Sequence, residues 1–275
     1  MLEVQDMRLS FSRYRTLLRR EWLPVLNGVS VSVQRGELVS LIGASGAGKS
    51  LLAHAVLGIL PSTTKLSGTM QFEGQPLTPA RQNALRGKRI ALVPQAITYL
   101  DPTARANAQV SWAATAAKLG TGAVASKLAH DELLRYGLPE VAHSRFPHQL
   151  SGGMARRVLT AIATVSNADL LIADEPTSGL DPEVCHMALT HLRSLADSGK
   201  AVLVITHDLD AVRHFTDRIV VMQGGCTVDA VDATTFASGQ ATHPFTRALY
   251  HALPQNGFNL PAARLGQRFA IECGA

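Results

Sequence analysis

Short apolar runs recur along the chain and have the length of β-strands. Five of them lie at residues 38–42, 90–93, 170–173, 201–205 and 218–222. Four of them lack the alternation with polar residues that marks a strand with one solvent-exposed face. The run at residues 38–42 is interrupted only by Ser40. Strands that are apolar on both faces are typical of parallel sheets covered by helices. The pattern therefore predicts a buried parallel sheet.

Helix-like segments separate several of these runs, notably after Lys49 and at residues 182–196. Strands that alternate with helices predict an α/β fold. Residues 96–164 differ, because they contain no convincing buried strand and are rich in Ala, Leu and charged residues. We expect a helical insertion there, between the second and third core strands.

Shorter alternating runs occupy the start of the chain, at residues 2–4, 26–33 and 68–72. They predict an antiparallel sheet that packs beside the main one. Gly224 and Gly225 predict a hairpin after the last core strand, and a partly helical tail is expected from about His243.

Composition limits the class of protein without deciding its function. Hydrophobic residues make up 46% of the 275 positions, which is a normal globular fraction. No apolar run reaches the roughly 18–20 residues needed to cross a bilayer, so a role at a membrane would require a partner that holds the chain there. The net charge of +5 fits a nucleotide, an anionic membrane surface or a nucleic acid. The densest basic cluster, at residues 13–20, lacks regularly interleaved aromatics, so we expect no nucleic-acid partner.

The three cysteines, Cys185, Cys226 and Cys273, lie far apart and show no CxxC spacing. They predict neither a zinc site nor a disulfide framework. A reducing compartment is the simplest interpretation.

Residues 43–50 read Gly-Ala-Ser-Gly-Ala-Gly-Lys-Ser and match the phosphate-binding pattern G-x-x-x-x-G-K-[ST] at every fixed position. They follow a predicted strand and open a predicted helix. Small residues let backbone N–H groups approach phosphate oxygens, while the helix N-terminus, a lysine and a serine supply positive charge and a Mg²⁺ ligand. The residues predicted to bind a nucleotide here are Gly43, Ser45, Gly46, Ala47, Gly48, Lys49, Ser50 and Leu51.

Two carboxylates, Asp174 and Glu175, directly follow the apolar run 170–173. Open α/β sheets place ligands at this end of a strand. Asp174 is predicted to hold Mg²⁺ through water, and Glu175 to polarise a water for attack on a γ-phosphate. The phosphate loop alone predicts nucleotide binding, and the acid pair extends this prediction to hydrolysis.

A second Ser-Gly-Gly element, Ser151 to Gly153, precedes a helical run. Such a segment can present another helix N-terminus to phosphate. An isolated Ser-Gly-Gly is more often an ordinary N-cap and turn. The residues themselves do not say which nucleotide the element serves.

The order of these elements resembles the ABC transporter ATPase family over nearly the whole chain. It runs from the phosphate loop through Gln95, Leu-Ser-Gly-Gly-Met at 150–154, the acid pair, Ser-Gly-Leu-Asp at 178–181 and His207. The resemblance implies an α/β P-loop NTPase fold with a RecA-like core, an N-terminal antiparallel β subdomain and a helical insertion. It implies an ATP-binding core at residues 1–95 and 160–235, a helical signature subdomain at 96–159 and a C-terminal tail at 236–275.

The resemblance also implies that part of the ATP site comes from a second subunit. The residues of this chain that would face the ATP bound by that subunit, or lie at the seam between the two, are Ser151, Gly152, Gly153 and Asp181. An aromatic side chain against adenine is expected at Phe11, with Tyr14 as the alternative.

Four residues take catalytic roles on this resemblance. They are Lys49, Glu175, Gln95 and His207. Gln95 would contact Mg²⁺ or the attacking water, so the expected metal ligands are Ser50, Gln95 and Asp174. His207 would contact the γ-phosphate and assist Glu175.

Two features are similar to the peptide/nickel importer subgroup of the family. Met154 follows the paired glycines, and residues 243–249 read His-Pro-Phe-Thr-Arg-Ala-Leu. Ala155 and Arg156 depart from the usual Arg-Gln after the methionine. The short tail favours the nickel or metal-chelate branch, and the alternative is a dipeptide or oligopeptide importer.

The subgroup implies a peripheral ATPase on the cytoplasmic face of the cell membrane. Its expected partners are a second related ATPase or a copy of itself, two transmembrane permease subunits and an extracytoplasmic substrate-binding protein. A soluble ABC ATPase is a more distant alternative, but the long coiled-coil insertion or tandem ATPase unit usual there is absent from this sequence. A P-loop small-molecule kinase would leave residues 150–153 and His207 unexplained.

Overall fold

The computed structural model describes residues 1–16 and 19–256. Its strands are β1 Leu2–Thr16, β2 Arg19–Val33, β3 Leu38–Gly43, β4 Thr64–Phe72, β5 Gln75–Pro76, β6 Ile90–Val93, β7 Leu170–Asp174, β8 Ala201–Thr206, β9 Arg218–Gln223 and β10 Cys226–Asp232. Its helices are α1 Lys49–Leu57, α2 Pro79–Leu85, α3 Ala106–Ala116, α4 Ala123–Arg135, α5 Glu140–His143, α6 Gly152–Thr164, α7 Pro182–Asp197, α8 Leu209–Val212, α9 Ala233–Ala237 and α10 Pro244–His251. Short 3-10 turns lie at Ile97–Tyr99, Pro147–Gln149 and Pro254–Asn256.

The parallel core contains the five predicted strands in the spatial order β9-β3-β8-β7-β6. Every neighbouring pair in it is parallel. The predicted α/β fold is therefore confirmed. Four of the strands extend one residue beyond the predicted runs, to Gly43, Asp174, Thr206 and Gln223. These added residues all lie at carboxyl ends, the edge where ligands bind in sheets of this kind.

The antiparallel part consists of β1, β2, β4 and β5, and it joins the core where β2 meets β10. Its main hairpin is much longer than the apolar runs indicated, since β1 and β2 pair as far out as Thr16 with Arg19. The outer half of this hairpin is largely exposed. Apolar alternation marks only a strand with one buried face, which explains why the sequence pattern missed this half.

The segment between β6 and β7 contains helices and turns but no strand among the described residues. Its helices α3 to α6 enclose a separate apolar cluster that includes Val110, Leu133 and Val158. Helix α6 continues past residue 159, the expected end of the helical subdomain, because its Ala161 packs in that cluster while Ala163 packs against the sheet. The domain division remains a prediction, and α6 belongs physically to both sides of the proposed boundary.

Two of the three cysteines lie in the described part of the chain, and Cys226 is buried in β10. Cys185 is a free thiol, and Cys273 lies outside the described residues. No helix among the described residues is long and apolar enough to span a membrane.

An ion-pair network ties the antiparallel part to the core. Glu73, in the turn after β4, accepts from Arg35 at 2.6 Å and from Arg89 at 2.8 Å. Both arginines also contact Asp169, which directly precedes β7. Hydrogen bonds from Arg89 and then Arg35 lower the pKa of Glu73 to about 2. The network therefore stabilises the fold most where Glu73 is ionised in both the folded and the unfolded chain.

Glu73→Gln removes a charge that two arginines share. At pH 7 we expect the melting temperature to fall by about 2–4 °C, a modest effect because all four side chains are partly exposed. A depressed folded-state pKa gives stability that is present above the unfolded pKa of about 4.5 and is lost as pH falls towards 2. The difference in melting temperature between Glu73→Gln and the wild type should therefore become smaller as the pH is lowered from 5 to 3. The control is Glu3→Gln, at an exposed carboxylate whose side-chain hydrogen bond comes from neutral Gln5. If the melting temperature of Glu73→Gln differed from that of the wild type by the same amount at every pH, the ionised Glu73 would not be the source of the stabilisation.

Candidate nucleotide site at the carboxyl edge of the sheet

The phosphate loop leaves the centre of the parallel sheet and returns into a helix. Strand β3 lies between β8 and β9 and is fully buried along its length. Helix α1 begins at Lys49, and no side chain caps its N-terminal N–H groups. Uncapped N–H groups and the positive dipole end of the helix favour an anion at this position.

Lys49 holds the loop in shape from inside. It is buried, and its Nζ donates to the carbonyl oxygens of Gly43 at 2.8 Å and Ala44 at 3.1 Å. Burial lowers the pKa of Lys49, while the negative charges of Glu175 and Asp174 act in the opposite direction. The ammonium group therefore provides a desolvated positive charge at the mouth of the loop.

Two loop glycines share a left-handed φ but differ in their surroundings. Gly48 has a left-handed φ of 91°, and an added Cβ would lie 2.3 Å from Cδ2 of Leu26 in β2. Gly46 has a φ of 81°, but an added Cβ there would meet nothing within 4 Å. The loop is therefore packed against the antiparallel part at Gly48 and open at Gly46.

Asp174 ends β7 and is buried beside the loop. Burial raises the pKa of Asp174, and the neighbouring charge of Glu175 adds to this, while a hydrogen bond with Ser50 opposes it. Its Oδ1 is buried and has no hydrogen-bond partner. A buried acceptor without a partner is costly, and a cation or a water at this position would satisfy it.

Glu175 is held at its backbone and at both carboxylate oxygens. Its Oε1 lies 2.7 Å from Nδ1 of His207, and its Oε2 accepts from the Thr206 hydroxyl at 3.1 Å. Its N–H donates to the Ile205 carbonyl at 2.8 Å, and its own carbonyl accepts from Nη1 of Arg156 at 2.7 Å. These bonds hold the residue at a φ of 50°, which is uncommon outside glycine.

The contact between Glu175 and His207 fixes the histidine tautomer. An ionised carboxylate can only accept a hydrogen bond, so Nδ1 of His207 carries the proton in this contact. The His207 side chain is 61% exposed, whereas that of Glu175 is 8% exposed. The pair therefore presents a buried acid with an imidazole that reaches into the open side of the site.

The Ser-Gly-Gly element lies on the helical side. Ser151 is the N-cap of α6, and its hydroxyl accepts from the N–H of Met154 at 3.2 Å. Ser151 and Gly152 are exposed, and a Cβ on Gly153 would lie 3.6 Å from Cδ2 of Leu180. Asp181 caps α7 by accepting from the N–H of Val184 at 3.0 Å. The element and the segment 178–181 are therefore neighbours within one chain.

Comparisons with known proteins identify the family. The sequence profile of the ABC transporter family matches residues 26–178. The chain belongs to this family.

Several curated relatives carry names from peptide transport. A probable peptide ABC transporter ATP-binding protein of Sinorhizobium fredii is 34% identical, over 92% of this chain and 77% of its own. The oligopeptide transport ATP-binding protein OppD of Mycobacterium tuberculosis is 35% identical over 93% of this chain, which spans only 42% of that longer protein. The probable D,D-dipeptide transport ATP-binding protein DdpD of Escherichia coli is 34% identical, over 93% of this chain and 79% of its own.

The fold also matches solved ATP-binding cassettes. One is a dimeric cassette in a post-hydrolysis state bound to ADP and Pi, with a TM-score of 0.75 and 26% identity over 85% of this chain and 99% of that chain. Membership of the family makes the chain an ATP-binding protein whose ATPase activity is coupled to transport.

The structure brings one group of the predicted residues of this ABC ATPase together and leaves another apart. Lys49, Ser50, Asp174, Glu175 and His207 meet at one sheet edge through the contacts described above. The loop residues Gly43, Ser45, Gly46, Ala47, Gly48 and Leu51 surround them in sequence. Among the described residues, no hydrogen bond joins the side chains of Gln95, Ser151 or Asp181 to this group.

The two candidate adenine contacts occupy different places. Phe11 is partly buried and packs against the apolar cluster that also contains Leu26, the residue in contact with the phosphate loop. Tyr14 is 58% exposed near the tip of the hairpin, where its hydroxyl accepts from Arg20 at 2.6 Å. The choice between Phe11 and Tyr14 as the adenine contact stays a prediction.

Sequence reasoning missed two residues that hold Glu175. Thr206 lies just past the apolar run 201–205, and its hydroxyl reaches the carboxylate. Arg156 was noticed only as a departure from the family pattern, yet it donates to the carbonyls of both Glu175 and Gln95. For Arg156, the only signal in the sequence was its departure from the family pattern. For Thr206, the sequence gave no signal of its contact with Glu175.

The contact between Gly48 and Leu26 can be tested without nucleotide. We expect Gly48→Ala to lower the melting temperature more than Gly46→Ala, by about a further 2–4 °C, because both bear left-handed strain but only the first adds an overpacked contact. In a Leu26→Ala background the difference between the two should shrink, since the clashing methyl group is gone. Equal effects of the two substitutions in both backgrounds would contradict the packing argument.

Proposed function

We propose that this chain is the ATP-hydrolysing subunit of a peptide importer. The contact between Glu175 and His207, at the mouth of a phosphate loop, is the observation that carries the hydrolytic part. The names of the relatives from peptide transport support the cargo class. The comparisons give no support to the nickel or metal-chelate branch favoured by the short tail, and we replace that preference with peptides.

In the proposed mechanism, the phosphate loop binds and Glu175 acts as the base. Backbone N–H groups of the loop and Lys49 hold the β- and γ-phosphates, where charge develops during phosphoryl transfer. Glu175 accepts a proton from the attacking water, since each of its oxygens retains a lone pair beyond the bonds to His207 and Thr206. His207 holds the carboxylate in place and reaches towards the γ-phosphate.

The residues present also fit a magnesium ion. Carboxylate and hydroxyl oxygens are preferred Mg²⁺ ligands, and Asp174 and Ser50 provide both beside the loop. The buried Oδ1 of Asp174 without a partner supports this assignment. Gln95 is the third proposed ligand. When bound, the ion neutralises charge on the phosphate oxygens.

Completion of the site requires a second subunit in this proposal. The exposed Ser151 and Gly152 begin helix α6 and are available to an ATP held by a partner, with Asp181 at the seam. A dimeric arrangement in a structural neighbour supports this. We propose a second related ATPase or a copy of this chain, two transmembrane permeases and an extracytoplasmic binding protein as partners, on the cytoplasmic face of the cell membrane.

Glu175→Gln tests the hydrolytic role. The amide keeps the size of the side chain but cannot take a proton, so we expect ATP turnover to fall by at least about 100-fold. The dissociation constant for ATP should stay within about threefold. Stalled hydrolysis should also increase the ATP-dependent dimer in gel filtration.

The control for this experiment is Glu140→Gln, the same substitution at a carboxylate that is 77% exposed on the helical part. It should retain wild-type turnover. Wild-type turnover in Glu175→Gln would show that another group acts as the base.

The cargo class can be tested by uptake in a strain that lacks this chain. We expect uptake of labelled di- and oligopeptides to fall to background and to return with the wild-type chain but not with Glu175→Gln. Uptake of labelled nickel should be unchanged. Loss of nickel uptake with normal peptide uptake would overturn the peptide assignment and leave the ATPase assignment intact.

A further inference from the structure

Arg156 joins three elements of the chain with a single side chain. It lies one turn into α6 and is partly buried. Its Nη1 donates to the Glu175 carbonyl at 2.7 Å, and its Nη2 donates to the Gln95 carbonyl at 3.0 Å. The two acceptors follow different strands of the core, β7 and β6. One guanidinium group therefore connects the signature helix to two neighbouring loops at the carboxyl edge.

The next residue on the same helix behaves differently. Arg157 donates to the carbonyls of Gly153, Tyr136 and Gly137, all of which belong to the helical part. Two consecutive arginines thus have separate tasks. Arg157 joins α6 to the end of α4, whereas Arg156 joins α6 to the core.

The backbone of Glu175 is the element that Arg156 constrains. A left-handed φ of 50° is strained for a residue with a side chain and persists only where surrounding contacts enforce it. The Ile205 carbonyl holds the peptide N–H of Glu175, and Arg156 holds its carbonyl oxygen. The direction of the carboxylate therefore depends on a bond that comes from the helical part.

We propose that Arg156 is a positioning residue that sets the Glu175 carboxylate and the Gln95 loop together according to the orientation of α6. The guanidinium group is planar and rigid, so it holds the two carbonyl oxygens at a fixed distance and orientation, which a lysine cannot do. Any rotation of α6 relative to the sheet moves both loops at once. This inference rests on the proposed role of Glu175.

The test compares Arg156→Met, Arg156→Lys and Arg157→Lys in the transporter assembled with its membrane subunits. Arg156→Met removes both hydrogen bonds, and we expect its kcat to fall about tenfold or more, because a small misplacement of a catalytic group is costly. KM for ATP should stay within about threefold, since the phosphate loop is untouched. Arg156→Lys should lie between wild type and Arg156→Met. Arg157→Lys should keep kcat within about threefold of wild type.

Three outcomes would overturn the proposal. The first is a wild-type kcat in Arg156→Met with KM unchanged. The second is a raised KM for ATP in Arg156→Met at unchanged kcat. The third is a loss of kcat in Arg156→Met that Arg157→Lys shows to the same extent. If Arg156→Met does not fold, Arg156→Lys decides, because wild-type kcat there would show that the guanidinium group is not needed. A Glu175→Gln variant in the same assay separates the two hypotheses. If Glu175→Gln is inactive while Arg156→Met is fully active, only the positioning role fails, whereas an active Glu175→Gln removes the base assignment itself.

Discussion

The buried ammonium group of Lys49 is the constraint on which the rest of the site depends. A charged group taken out of water must find partners, and here its own loop supplies two of them, the carbonyl oxygens of Gly43 and Ala44. The loop therefore curves back around its own lysine. This curvature requires the left-handed residues Gly46 and Gly48, and it brings Gly48 against Leu26 of the antiparallel part.

The charge of Lys49 also shapes the opposite wall of the site. Asp174 and Glu175 are buried acids that the ammonium group partly compensates, and Glu175 gains further compensation from His207 and Thr206. The phosphate loop and the acid pair therefore stabilise each other. The parallel sheet allows this because the carboxyl ends of β3, β7 and β8 lie side by side, and each strand ends in a residue that serves the site.

Much of this arrangement could be predicted because it is local or follows from strand order. Apolar runs located the five core strands, and the residues immediately after them located the phosphate loop, the acid pair and His207. The outer half of the first hairpin could not be predicted in this way, because hydrophobic periodicity reports only whether a position has a buried face.

Arg156 shows a further limit of pattern reasoning. As a deviation from the family pattern it drew attention, but a pattern cannot say whether a substituted residue is neutral or has taken up a new contact. The two carbonyls that it binds belong to loops about 80 residues apart in sequence, after β6 and after β7. Helix α6 packs against β6, which pairs with β7, and this arrangement brings both carbonyls within reach of one side chain.

Helix α6 acquires an unusual position from these contacts. Its first residues are exposed and, in the proposed dimer, would meet the ATP of the partner subunit, while Arg156 lies only one turn further along and holds the backbone of the chain's own Glu175. In the proposed dimer, the same helix would therefore link the ATP bound by the partner to the proposed base for the ATP bound by this chain. The proposed positioning role of Arg156 would then couple the two composite sites through α6.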